Sequence, residues 1–363
     1  MNLGEAIAAT PPGGTLRIPA GTHEHSGKIV RTSSISIIGE GKGISRLVFS
    51  GLGSGIEFNL SAGGTNHQPV NLQDFTMFAT AANAGTALRL VYPPTEGVAG
   101  GLSSFPSCHI EDVAFLPDPD ISQSYWTGGI QLVNARHAKI VRPYYKGRGG
   151  TPPPTGTFGI RLTNAATDPF ILNPQVYNAH RAIYCDATSE AVAAGHQAEG
   201  VHIVHPNLVE VIRGIELSTL RKEAGLHVTK GHISAHEFGV LLERRFHATI
   251  EGTLIFKDSG SVMDFVGIRM RLAESHNNNV YGVHIRTQPS ASGAARGMVI
   301  SDTERANIFG NNIWFPEGDT TGVGITLTST CTGSLVHGNL RTRGARTVLN
   351  QGVGNRVTNN LPA

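Results

Sequence analysis

The sequence predicts an all-β protein, a right-handed, single-stranded parallel β-helix of roughly eleven coils with a short N-terminal capping helix. A short phrase of glycine, apolar residue, variable residue and second apolar residue returns along the chain, as in GIRLT at 159–163 and GIELS at 214–218. Between Ile130 and Ile325 it recurs at steps that average about 28 residues, which is typical of solenoids. The connections are short and rich in glycine, asparagine, proline and serine, which leaves little room for crossover helices.

The N-terminal part of the chain predicts a cap and then the opening of the solenoid. Residues 1–14 are the cap, in which LGEAIAA at 3–9 predicts a short helix over the first sheet edge, because an exposed parallel edge needs a cover. TLRIPAGTH, ISIIGEG and ISRLVF within 15–54 predict the opening coils. Residues 55–360 predict the regular coils, and we interpret 1–363 as a single β-helix domain.

Each regular coil begins with the recurring phrase and continues with a second strand. Alternation along GIELS directs Ile215 and Leu217 to one side of the strand and Glu216 to the other. A second strand follows each phrase, as in KIVRPYY at 139–145. A β-sandwich is the alternative fold, but two-residue Asn-Gly turns do not separate the strands, which disfavours antiparallel hairpins.

Composition excludes several functional classes. Glycine provides 45 of the 363 residues, which suits a fold with a tight turn at every corner. The formal net charge of +2 predicts neither nucleic acid nor an anionic membrane as a partner. The three cysteines lie far apart and predict neither a disulfide framework nor a zinc site. The first residues show no secretory signal pattern, and no apolar run is long enough to span a membrane.

The opening GGTLRIPAGTH at 13–23, the following ISIIGEGKG and the recurring phrase resemble the pectate-lyase-like β-helix superfamily. Within it, the chain is most similar to phage tailspike and polysaccharide depolymerase proteins. The resemblance implies a homotrimer, in a phage tail or outside the cell, that binds and often cleaves a bacterial surface polysaccharide such as capsule, exopolysaccharide or O-antigen. The polygalacturonase motifs and the aspartate cluster of calcium-dependent pectate lyases are missing, so the resemblance assigns no catalytic residue.

Outward positions of successive coils stack into ladders about 4.8 Å apart, and the middle coils concentrate charge there. Glycoside hydrolysis needs two carboxyl groups, one as acid and one as base or nucleophile. We therefore expect Asp186, Glu216 and Glu243 to be catalytic. Asp186 and Glu243 lie two coils apart, about 9.6 Å between backbones, with Glu216 diagonally between them, which suits an inverting hydrolase better than a lyase. Alternatively, Glu243 beside Arg271 is an ordinary cross-strand ion pair.

The same ladders and the loops beside them supply candidate substrate-binding residues. Arginines would hold an anionic sugar, and a histidine before the strand of Glu243 would serve as a base or as a turn residue. The rings of Tyr125 and Trp126 would either cover a sugar face or pack their loop onto the rod or onto a neighbouring subunit. The candidates are Arg161, Tyr184, Arg269, Arg271, Tyr125, Trp126 and His236. Long connections at 117–127, 147–157, 257–265 and 286–296 are expected to wall the ladder. We expect no metal and no cofactor.

Two further functional classes stay open at the level of sequence. The first is a noncatalytic glycan-binding receptor spike or adhesin that uses the same groove. The second is a purely structural role in a virion or surface layer. Glycan binding without turnover would favour the first, and the absence of any glycan binding would favour the second.

Overall fold

The computed structural model describes residues 2–62, 69–93, 107–150, 152–189, 191, 198–258, 261–272, 275–287, 295–317, 319, 321–344 and 346–362. The chain falls into two compact units, Met1–Ala198 and Glu199–Ala363. Each unit is built as a right-handed parallel β-helix, and every strand pair recorded among the described residues is parallel. The predicted fold class is therefore confirmed, whereas the coil number and the single-domain boundaries stay predictions.

The first unit contains one α-helix, a 3-10 helix at Leu60–Ala62 and fourteen strands among its described residues. The helix is α1 (Leu3–Ala9). The strands are β1 (Thr15–Arg17), β2 (Gly21–Arg31), β3 (Ser36–Ile38), β4 (Ser45–Asn59), β5 (Val70–Ala79), β6 (Thr86–Val91), β7 (Cys108–Pro117), β8 (Gly128–Val133), β9 (Lys139–Val141), β10 (Tyr144–Lys146), β11 (Phe158–Thr163), β12 (Phe170–Leu172), β13 (Gln175–Tyr177) and β14 (Arg181–Asp186).

The second unit contains eighteen strands among its described residues. They are β15 (Val201–Val204), β16 (Asn207–Thr229), β17 (His232–Glu251), β18 (Leu254–Lys257), β19 (Phe265–Arg271), β20 (Ser275–His276), β21 (Asn279–Tyr281), β22 (His284–Arg286), β23 (Ala295–Ile300), β24 (Thr303–Glu304), β25 (Asn307–Phe309), β26 (Asn312–Trp314), β27 (Val323–Leu327), β28 (Leu335–His337), β29 (Leu340–Thr342), β30 (Arg346–Asn350), β31 (Arg356–Thr358) and β32 (Leu361–Pro362).

The predicted N-terminal helix is confirmed at the predicted residues. A capping box begins it: the Asn2 side chain accepts from the Glu5 backbone N–H at 2.9 Å, and the Asn2 N–H donates to Glu5 Oε2 at 3.0 Å. Leu3 and Ile7 are buried. At the other end, Arg31 of β2 donates to the carbonyl groups of Ile7 and Ala8 at 2.6 and 2.9 Å, so it satisfies carbonyls that the last helical turn leaves open.

Three sheets run along each unit, and we name them by their position in a coil. In the second unit, sheet A contains β19, β23 and β27, sheet B contains β21, β25 and β28, and sheet C contains β22, β26 and β29. In the first unit, sheet A contains β8, β11 and β14. Sheet A carries the recurring phrase. Its inward residues, such as Ile160 paired with Ile183 and Val240 paired with Ile268, are buried and form the core.

The predicted ladder register is confirmed within each unit. In the first unit, Gln131 pairs with Arg161 and Arg161 with Tyr184. In the second, the outward ladder reads in order Glu216, Leu241, Arg269, Val299 and Thr326.

The glycine of the recurring phrase is required by close packing between coils. A Cβ atom at Gly267 would lie 2.7 Å from the carbonyl oxygen of Gly297 and 2.8 Å from Cγ2 of Ile285. The same approach recurs one coil earlier, where a Cβ atom at Gly239 would lie 2.5 Å from the Gly267 oxygen. Glycine is therefore selected here by lack of space rather than by an unusual backbone angle.

Candidate functional site

In the first unit, a charged group lies on the outer face of sheet A, where β11 and β14 run side by side. Thr163 pairs with Asp186 across the two strands. Asp186 is bound by Arg161, with Nε 3.2 Å from Oδ1 and Nη2 2.5 Å from Oδ2, and by the Thr163 hydroxyl at 3.1 Å. The ring of Tyr184 lies near two guanidinium groups, 5.5 Å from Arg161 and 4.8 Å from Arg181. Burial raises the pKa of Tyr184 to about 12, so the phenol stays protonated.

The expectation that Trp126 forms a sugar platform is corrected by the structure. Its side chain is fully buried, Nε1 donates to the Met77 carbonyl at 3.2 Å, and the ring meets Phe49 edge to face at 5.8 Å. The connection 117–127 folds inward at this point because a large apolar ring gains more from burial than from exposure. The neighbouring Tyr125 is half-buried. Its backbone N–H donates to the Ala81 carbonyl at 3.1 Å and its carbonyl accepts from the Ala84 N–H at 3.0 Å, which holds the loop against the coil.

The expectation that His236 reaches substrate is corrected as well. Its side chain is 2% exposed, and among the described residues Nε2 has no hydrogen-bond partner. Burial lowers the pKa of the ring below its ordinary value, so the neutral form is favoured inside the protein. The Ser261 hydroxyl donates to the His236 carbonyl at 3.0 Å and fixes this part of β17. A ring so placed is out of reach of a polysaccharide.

In the second unit, the candidate carboxylates lie on the outer face of sheet A and are bound by arginines. Glu243 accepts hydrogen bonds from the Ser218 hydroxyl and from Nε of Arg271. Both carboxylate oxygens of Glu216 accept hydrogen bonds from Nη1 of Arg213, Oε1 at 3.2 Å and Oε2 at 3.3 Å. The same arginine donates from Nε to Glu237 at 2.8 Å. Each of the two candidates therefore contacts an arginine, and the arginine beside Glu216 also binds Glu237.

Apolar side chains underlie these charges on the same outer face. They form a small buried cluster of Phe238, Leu241, Val266 and Val299. The guanidinium groups of Arg213 and Arg269 lie over the Phe238 ring, 5.7 and 5.6 Å from its centroid. Arginine stems and aromatic faces thus exclude water from an outward surface, which strengthens the electrostatic interactions there.

Among the residues that the structure describes, Arg269 has no ion-pair partner. Among the described residues it has no hydrogen-bond partner, and its Nε atom is buried. Burial lowers the pKa of the guanidinium below its ordinary value, and Arg271 and Arg296 lower it further by repulsion. Glu243 and Glu237 act in the opposite direction, and an anionic group in contact with the guanidinium would add to their effect.

A cavity of about 430 Å³ opens beside Arg269. It is lined by Glu237, Phe238, Met263, Asp264, Phe265, Val266, Arg269 and Arg296. Met263 and Asp264 belong to the connection 257–265, so this connection flanks sheet A as expected. Most of the connection 286–296 lies outside the described residues. The cavity holds carboxylates, arginines and an aromatic ring, which are the groups that a charged sugar chain requires.

The sequence-based prediction missed Arg213, Glu237 and Phe238. The signal was the outward position just before the glycine of the recurring phrase. Arg213, Phe238, Val266 and Arg296 pair in order on successive strands at this position. Strict alternation assigns this position to the inside, together with the apolar residue after the glycine. The pairing register is continuous across the glycine, but Arg213 bonds to Glu216 and Phe238 packs with Leu241 on the outer face, so the alternation of side chains fails there.

The described residues contain neither a metal-ion cluster nor a membrane-spanning helix. No group of three histidine, cysteine or acidic side chains is arranged to hold a metal ion in that part of the chain. Within the same residues, no helix is long and apolar enough to cross a membrane.

The chain resembles known proteins at the level of fold. No family model matches the sequence, and no curated protein matches it. Solved structures do match. The premature form of bacteriophage phi29 gene product 12 has a TM-score of 0.59 at 12% identity, over 90% of this chain and 48% of that protein. The chain thus spans about half the length of the phage protein.

The shared fold is the parallel β-helix. Two enzymes share it with the present chain. DFA-IIIase from Arthrobacter chlorophenolicus A6, without its lid and in complex with GF2, has a TM-score of 0.51 at 14% identity, over 96% of this chain and 84% of the enzyme. The periplasmic alginate epimerase AlgG has a TM-score of 0.50 at 11% identity, over 100% of this chain and 83% of the epimerase. These likenesses confirm the predicted resemblance as a resemblance in fold.

Proposed function

We propose that the protein binds an acidic bacterial surface polysaccharide in the cavity beside Arg269 and depolymerises it by glycoside hydrolysis at Glu216 and Glu243, which lie on the same outer face outside the cavity lining. The observation that carries the proposal is Arg269, a partly buried guanidinium in the cavity wall without an anionic partner among the described residues. A sugar carboxylate beside it would offset the repulsion from Arg271 and Arg296. An alginate epimerase among proteins of the same fold fits this substrate class.

For the chemistry, we assign Glu243 as the base and Glu216 as the acid. Glu243 pairs directly with Ser218, and Glu216 lies two residues before Ser218, so the two glutamates are diagonal neighbours with Cα atoms about 7–8 Å apart. Side chains at this backbone spacing can place their carboxyl groups at the separation of about 6.5–9.5 Å that an inverting hydrolase needs to admit water. Glu243 takes a proton from that water, whose oxygen bonds to the anomeric carbon. Glu216 gives its proton to the departing glycosidic oxygen.

The assignment rests on the contacts that position the two glutamates. Arg271 and the Ser218 hydroxyl both donate to the Glu243 carboxylate and hold it in place, as a positioned base requires. Arg213 also binds Glu237, and its bonds to Glu216 are longer. In the first unit, Asp186 stays the third candidate carboxylate, with Arg161 and Tyr184 as candidate contacts for sugar.

The test is incubation of the protein with acidic capsular and exopolysaccharides. Hydrolysis produces new reducing ends, whereas a lyase produces absorbance near 235 nm. We expect Glu243→Gln and Glu216→Gln to abolish cleavage with binding retained, and Arg269→Ala to weaken binding. Glu317→Gln is the matched control, because the Glu317 side chain is 89% exposed. Full activity in both glutamine variants and in Asp186→Asn would overturn the catalytic assignment.

A noncatalytic glycan-binding spike or adhesin is the second candidate. The observation that favours it is that Asp186, Glu216 and Glu243 all lie in ion pairs with arginine, as a polar sheet surface would have them without catalysis. Saturable glycan binding with no new reducing ends across the same panel selects this candidate.

We also propose that the protein acts as a homotrimer in a phage tail or outside the cell. The support is the resemblance to tailspike proteins and the fold shared with a phage protein. The mass of the particle in solution tests the oligomeric state.

A further inference from the structure

A second cluster of polar and aromatic side chains that could bind a ligand lies in the second unit, on the outer face of sheet C. It is a cavity of about 270 Å³ lined by Leu254, His284, Ile285, Arg286, Asn312 and Trp314. None of these residues lines the cavity beside Arg269, which lies on sheet A. The volume falls below the roughly 300–1,000 Å³ of pockets for drug-sized ligands, so it suits one small ring.

The register of sheet C explains why an indole ring stands on the surface. Ile285 pairs with Ile313, and both point into the core, so the flanking residues of the same short strands point outward. Arg286 pairs with Trp314, and its guanidinium carbon lies 4.9 Å from the centroid of the indole ring. The next residue along this ladder is Thr342, whose small side chain leaves room beside the indole.

The charge of the cavity is positive. Arg286 is exposed, and among the described residues its only recorded side-chain contact is the indole ring. His284 is exposed beside it, and the lining contains no carboxylate. A guanidinium stacked on an indole keeps its planar fork of donors available for a carboxylate.

Asn312 supplies an acceptor that the described residues do not satisfy. Its Oδ1 atom is buried and has no hydrogen-bond partner among them. A buried acceptor without a donor is costly, so a rotation of the Asn312 side chain that turns Oδ1 toward the cavity would let a ligand hydroxyl group donate the hydrogen bond that the described residues do not make.

We propose that this cavity binds a single hexuronate ring. The C–H face of the sugar would lie on Trp314, its carboxylate on Arg286 and one hydroxyl group on Asn312 Oδ1. The inference does not depend on the first site, because it uses different residues on a different sheet. It gives the second unit an anchoring subsite that holds an acidic glycan without any part in its cleavage.

The chain offers a direct probe, because it contains two tryptophans and the other, Trp126, is fully buried. The full-length protein is titrated with methyl β-glucuronide, with methyl β-glucoside as the neutral control. We expect the glucuronide to cause a saturable change in tryptophan fluorescence and to protect Trp314 from quenching by acrylamide. We expect the glucoside to bind at least about tenfold more weakly.

Substitutions in the cavity wall test which side chains hold the glucuronide. We expect Arg286→Gln and Trp314→Phe each to weaken glucuronide binding about tenfold or more by calorimetry. Arg356→Gln, a change at an exposed arginine outside the cavity wall, should leave it unchanged. No saturable signal, or equal binding by wild type and Arg286→Gln, would overturn the proposal. A lower particle mass in Arg286→Gln would also overturn it, because a second copy of the chain would then be the occupant.

Discussion

The two tryptophans of this chain differ in how deeply their side chains are buried. Trp126 packs against Phe49 and donates a hydrogen bond to Met77, whereas Trp314 stands on an outer face. We expect Trp126→Ala to lower the free energy of unfolding by about 3–5 kcal/mol, because it leaves a large cavity and an unpaired carbonyl group. Urea denaturation measures it. Trp314→Ala is the matched control and should cost about 1 kcal/mol or less. Equal losses would contradict the burial of Trp126.

His236 makes stability depend on pH. Asp258 and Glu210 favour its charged form, but burial outweighs them and lowers the pKa. The unfolded chain takes up a proton below about pH 6.5 that the folded chain resists, so stability falls as the pH falls from 7.5 to 5.5. We expect a smaller drop in Tm over this window in His236→Gln. His227→Gln, a change at an exposed histidine, should keep the full drop. An unchanged drop in His236→Gln would show that the ring is not responsible.

At the scale of the strand, the recurring glycine sets how closely successive coils approach. A Cβ atom at Gly267 would press on the Gly297 carbonyl and on Ile285. We therefore expect Gly267→Ala to lower the free energy of unfolding by about 1–3 kcal/mol through overpacking. Gly149 has no atom within 4 Å of its would-be Cβ, so Gly149→Ala is the control and should change little. Thermal denaturation of both variants decides, and a neutral Gly267→Ala would mean that the coils separate without cost.

A ladder of buried asparagines joins sheets B and C at one corner of the second unit. Asn339 accepts from the backbone N–H of Asn311 at 3.0 Å and donates to the Ile308 carbonyl at 3.0 Å and to Asn360 Oδ1 at 2.8 Å. Asn339→Ala should cost about 2–5 kcal/mol, because several buried groups lose their partners together. Asn279→Ala, outward on β21, should cost less than about 1 kcal/mol. Hydrogen exchange at Asn311 should accelerate only in Asn339→Ala.

Periodicity predicted the parts of these elements that repeat in a regular way. The pairing of Arg161 with Tyr184 follows from the spacing of the recurring phrase alone. The outward position of Phe238 and the asparagine ladder do not follow from it. Phe238 precedes a glycine at which strict alternation fails, and Asn311 points inward at a corner where polar side chains replace backbone partners.

At the scale of the whole molecule, the fold could be predicted from the sequence, but which connections pack over the outer faces of the coils could not. Every coil repeats the same local pattern, so the sequence carries many independent indications of the solenoid fold. The burial of Trp126 depends instead on the path of one connection over one coil, and no repeated sequence pattern indicates that path. The pairing of Glu243 with Arg271 was foreseen as the noncatalytic alternative, and the ion pair is present. A catalytic role for Glu243 stays a proposal, which the glutamine variant tests.

An aromatic strip on sheet B of the second unit is our candidate for the subunit contact of the proposed trimer. Tyr281, Phe309 and His337 stack in order at 4.9 and 5.3 Å, and each is half-buried in the single chain. Aromatic side chains are enriched in subunit interfaces, where their large faces exclude water. We expect light scattering at micromolar concentration to give three times the 38.4 kDa of one chain. Phe309→Ala should shift the mass toward one chain, whereas Asn307→Ala on the same strand should not. A wild-type monomer would contradict the trimer, and a trimeric Phe309→Ala would place the contact on another face.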